Sequence, residues 1–147
     1  MITDTTKRKM ALFLREMFGS TFGTTKLGTG GGGTNPTSTD LDVPLSTSAT
    51  SNATSSDDRV VEIKTSFSGS ALQGYTIREV GFFGSLPTDS EMGDIDVTAD
   101  YDITTEGNRE TVMLGRINFD AIGNFSTTDT IEVIYTMEVE WYGSGWF

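Results

Sequence analysis

From Thr130 to Tyr142 every second residue is apolar: Ile131, Val133, Tyr135, Met137, Val139 and Trp141 share one side of an extended chain. Glu132, Glu138 and Glu140 share the other. Successive side chains of a strand point to opposite faces, so this period of two predicts a long, half-buried strand. It commits the chain to a sheet with one face on a core. A shorter run repeats the pattern, with Val61, Ile63, Thr65 and Phe67 set against Glu62, Lys64 and Ser66. Tyr75–Phe83 and Glu110–Ala121 read as further strands, and Ser68–Gly74 as a turn. The apolar phase of Glu110–Ala121 slips between Val112/Leu114 and Ile117/Phe119, which predicts a bulge near Gly115. Leu86–Gly93 reads as a polar loop, and Ile95–Ile103 as a strand interrupted by acids.

The N-terminus has a different period. Met10, Phe13, Leu14, Met17 and Phe18 fall on one face of a helix over residues 4–18, with Asp4 or Thr5 as its cap and Gly19 as its end. Four of the ten basic residues, Lys7, Arg8, Lys9 and Arg15, lie on this helix. It reads either as a packing element over a sheet face or as a docking helix meeting an acidic neighbour.

Between helix and sheet lies TTKLGTGGGGTNPTSTDLDVPL, Thr24 to Leu45, followed by the Ser/Thr/Ala run Ser46–Ser56. Four successive glycines have no side chains to pack, so this stretch reads as a loop or arm, with a short strand at Thr24–Leu27. It is no phosphate loop, since no Gly-Lys-Ser/Thr follows, and no βαβ unit frames a dinucleotide fingerprint. The organisation is therefore a helix (1–20), a Gly/Ser/Thr-rich arm (21–58), an antiparallel β domain (59–142) and an aromatic tail (143–147). The fold class is α+β, mainly β: an N-terminal amphipathic helix followed by an antiparallel β-sandwich.

The chain has neither Cys nor His, which excludes disulfides, thiolate and imidazole catalysis and the usual structural zinc sites. A net charge of −11 disfavours nucleic acid and anionic membrane as partners. The acidity reads either as a surface adapted to strong brine or as ordinary charge-based solubility. No run approaches the roughly 18 apolar residues of a membrane span, and Met10–Leu14 is too short for a signal peptide.

In YTIREVGFFG, Tyr75 to Gly84, a charged pair interrupts an apolar run. Buried charge is costly without partners. Glu79 falls in the alternation of Tyr75, Ile77 and Phe83, and Arg116 follows Val112 and Leu114 in similar phase. The expectation is a partly buried Glu79–Arg116 ion pair across neighbouring strands, architectural in role, with Arg116 presenting its planar fork to the carboxylate. The alternative is a local pairing of Arg78 with Glu79 facing solvent. Asp94, Asp96, Asp100 and Asp102 are the densest acids. They are either candidate oxygen ligands for calcium or magnesium, without EF-hand spacing, or the solvent face of a strand. Apart from such a cation no cofactor is expected. Two carboxylates suffice for a glycosidase, but nothing marks a pair, so no catalytic residue is assigned. Trp146 and Phe147, behind the spacer Gly143-Ser144-Gly145, form an aromatic hook that either anchors an interface or folds back on the core. The interface candidates are these two residues and the apolar helix face.

The order of motifs carries a resemblance: a short helix, the KLGTGGGG loop, the stretch TNPTSTDLDVPL, the strand YTIREVGFFG, then MLGRINFD (Met113 to Asp120) and TIEVIYTMEVEW (Thr130 to Trp141). Together they resemble the N-terminal attachment domain of tail-collar fibre and tail-fibre proteins of tailed viruses of bacteria and archaea. Family members usually continue into long fibrous or receptor-binding regions, whereas this sequence stops at residue 147. The resemblance implies a structural, non-enzymatic virion component of the tail, baseplate or fibre attachment. It implies a homo-oligomer made in the host cytoplasm, with copies of itself and other tail proteins as partners and host-surface glycan as a further candidate. Two other readings are a capsid turret, collar or decoration subunit and a carbohydrate-binding module. Exposed aromatics around Trp141, Tyr142 and Trp146 would mark the last.

Overall fold

A computed structural model of the chain describes residues 2–19, 22–32, 38–50, 52–55, 60–90 and 108–138, with only the backbone described over 47–50 and 52–55. Helix α1 spans Asp4–Phe18 and ends at Gly19. Its cap is Thr3, not Asp4 or Thr5: the Thr3 hydroxyl accepts the Thr6 N–H at 3.3 Å. Asp4 instead occupies the first turn, where its charge meets the positive end of the helix.

Seven strands follow among the described residues: β1 Thr24–Gly28, β2 Pro44–Thr50, β3 Asn52–Ser55, β4 Val60–Ser68, β5 Ile77–Pro87, β6 Arg109–Ile122 and β7 Thr130–Glu138. All pair antiparallel. One sheet has the order β2-β1-β5-β6 and the other β3-β4-β7, so the protein is α+β and mainly β. Three strands come from residues 21–58, the expected arm. Two of them, β2 and β3, are edge strands. Backbone pairing with β1 and β4 sets their places in the sheets.

Strand β5 is longer than its hydrophobic run implies. Leu86 and Pro87, expected in a loop, pair with Glu110 and Arg109. Tyr75, expected in the strand, precedes it and is exposed. A 3-10 turn, Gly69–Leu72, leads there, and Gly74 turns the chain at φ 82°. Across β5 and β6 the register slips where Phe82 pairs with Gly115 and Phe83 with Met113, so Leu114 is the extra residue beside the glycine.

The two sheets enclose one core. Leu27, Val80 and Phe82 meet Val61, Ile63 and Phe67 from the opposite sheet, and α1 adds Ala11, Met17 and Phe18. A buried Leu, Ile or Phe contributes about 1.5–3 kcal/mol. The Thr25 and Thr65 hydroxyls, both buried, join the sheets at 2.8 Å. The Phe82 ring stacks on Tyr135 at 4.6 Å between centroids. Thus β1 lies over β4 and β5 over β7. Arg109 fastens the end of α1: its guanidinium lies 4.2 Å from the Phe22 ring centre and donates to the Met17 sulfur and to Ser85. Among the described residues no helix is long and apolar enough to cross a membrane.

Candidate functional site

Strand β5 is covered on both faces. Val80 and Phe82 point into the core, whereas Glu79, Gly81 and Phe83 point the other way. This corrects the expectation that Glu79 shares the core face with Ile77. The outer face is covered by the glycine-rich segment, which returns over β5 as a strap made of residues 29–32 and 38–43. Leu41, 5% exposed, seals it beside Gly81. Lys26 lies 4.5 Å from the Phe83 ring centre and 3.7 Å from Asp40 of the strap.

Glu79 is at the centre of this cover and is fully buried. Its Oε1 accepts the Val43 N–H at 2.9 Å and its Oε2 accepts the Asp42 N–H at 3.2 Å. The strap is therefore bonded to β5 through a side chain, where no strand of the sheet lies. Arg116, on β6, reaches the same Oε2 at 3.2 Å with Nη2. The structure thus brings Glu79 and Arg116 together, while Arg78 is exposed.

The fork of Arg116 does not close on Glu79, however. It closes on Asp42, with Nη1–Oδ1 at 3.1 Å and Nη2–Oδ2 at 2.8 Å. Arg116 bridges two carboxylates, with its own side chain 4% exposed and that of Asp42 41% exposed. The hydrogen bond from Arg116 holds the Asp42 carboxyl below its usual 3.8, against an opposing push from desolvation. The charge of Arg116 and a backbone hydrogen bond to Gly32 add to the lowering. The same bond raises the Arg116 guanidinium above its ordinary value. Nη2 of Arg116 also reaches the Gly32 carbonyl at 3.4 Å, and the Asn118 amide donates to that carbonyl too.

Sequence reasoning missed Asp42 and Asn118. The available signal was the second acid of TSTDLDV, close behind glycines that permit tight backbone approach. A Cβ on Gly32 would strike the Asp42 carboxylate, and one on Gly28 would come within 2.7 Å of both the Val43 carbonyl oxygen and Glu79 Cγ. The glycines are thus the room that the clasp occupies.

The proposed helix face does not stand free. Met17 and Phe18 are buried in this chain's own core, and Phe13 and Leu14 pack partly against it. Burial removes Met17 and Phe18 as interface residues, whereas Phe13 and Leu14 are half-buried and Met10 is 43% exposed. Asp94, Asp96, Asp100 and Asp102 lie outside the described residues, as do Trp146 and Phe147, Trp141 and Tyr142, and the candidate strand Ile95–Ile103.

The clasp is satisfied at its carboxylates, while Arg116 Nε and Asn118 Oδ1 are buried without a hydrogen-bond partner among the described residues. Each oxygen of Glu79 accepts a backbone N–H, and the Arg116 fork is engaged by Asp42. Its capacity is mechanical: it ties strap, central strand and edge strand into one unit. No known protein family matches the chain, and no curated protein matches it.

Proposed function

We propose that this protein is a structural component of a tailed virus, acting in the tail, baseplate or fibre attachment by oligomeric assembly and not by catalysis. One observation carries this reading. The neighbouring segments KLGTGGGG and TSTDLDV meet YTIREVGFFG and MLGRINFD, which lie far from them in sequence, at the Glu79–Arg116–Asp42 clasp. The motifs behind the resemblance therefore form one interlocked element of architecture. A strap fixed to two strands through side chains suits a part whose outer surface must keep one shape against its neighbours. The location that follows is the virion, with copies of itself and other tail proteins as partners.

The test is to purify particles of the virus that encodes this chain and to reconstruct them. Density for the chain around the tail axis is expected. Absence of the chain from particles overturns the reading, and a position on the capsid shell replaces it with the turret or decoration reading.

A further inference from the structure

We draw no further inference here: the strongest candidate, the apolar cleft of about 250 Å³ lined by Ile117, Phe119 and Ile122 of β6 and Ile131 and Val133 of β7, carries nothing because nothing in the structure shows what covers it.

Discussion

Gly28 lies directly opposite Glu79 in the β1–β5 ladder, and the missing side chain of the glycine is the space in which the buried carboxylate turns toward the strap. A strand residue with a Cβ at this point would force either the carboxylate or the Val43 carbonyl away. The position of the charge thus depends on a residue that carries none.

Glu79→Ala should destabilise the protein by about 1–3 kcal/mol, because it leaves the Asp42 and Val43 N–H groups without their acceptor and Arg116 with Asp42 as its remaining carboxylate. Urea unfolding of wild type and variant measures it. A loss under about 0.5 kcal/mol, typical of a surface substitution, would remove the clasp as a source of stability.

Gly28→Ala and Gly31→Ala should behave oppositely, although both replace a glycine of the same segment. The first adds a methyl group against the Val43 carbonyl and Glu79 and should cost about 1–3 kcal/mol. At Gly31 the nearest atom is Arg78 Cδ at 3.9 Å, so the change should be neutral or stabilise by up to about 1 kcal/mol. Equal thermal midpoints for the two variants would contradict the packing described for the strap.

Acid should loosen the strap through Asp42. Its folded value lies below the unfolded value near 3.8, so its contribution is fully present above that value and fades as pH falls through the folded one. Asp42→Asn should therefore be less stable than wild type at neutral pH, and the gap should close below about pH 4. Unfolding midpoints measured across that range decide it, and a gap independent of pH rules the contribution out.

The Thr25–Thr65 contact between the sheets should show as coupling. Thr65→Val alone removes the buried Thr25–Thr65 hydrogen bond and should cost about 0.5–1.5 kcal/mol, whereas the double variant with Thr25→Val should lose less than the sum of the single changes. Strict additivity in the double-mutant cycle would mean that the hydroxyls do not stabilise one another.

Several features are legible without coordinates because they are local. Helix α1 has the bounds that its apolar spacing predicts, and β4 and the described part of β7 follow their period of two. The extra residue at Leu114 lies beside the glycine where the apolar phase slips. Glu79 in an apolar run needs a partner, and Arg116 is available in the same phase.

Tertiary structure alone decided the rest. The Asp42 and Arg116 side chains that share the bidentate contact are 74 residues apart, and the Asp42 N–H that holds Glu79 is 37 residues from it. Periodicity states that a residue lies inside but not which of two covered faces it joins, and β5 is covered on both. Nor does it show that the Ser/Thr-rich residues 44–50 and 52–55 form sheet edges, since that run of the sequence has no apolar alternation. The stacking of the sheets belongs to the same class: Thr25 and Thr65, which meet between them, are 40 residues apart, and a sequence read along one dimension carries no record of which strand lies over which.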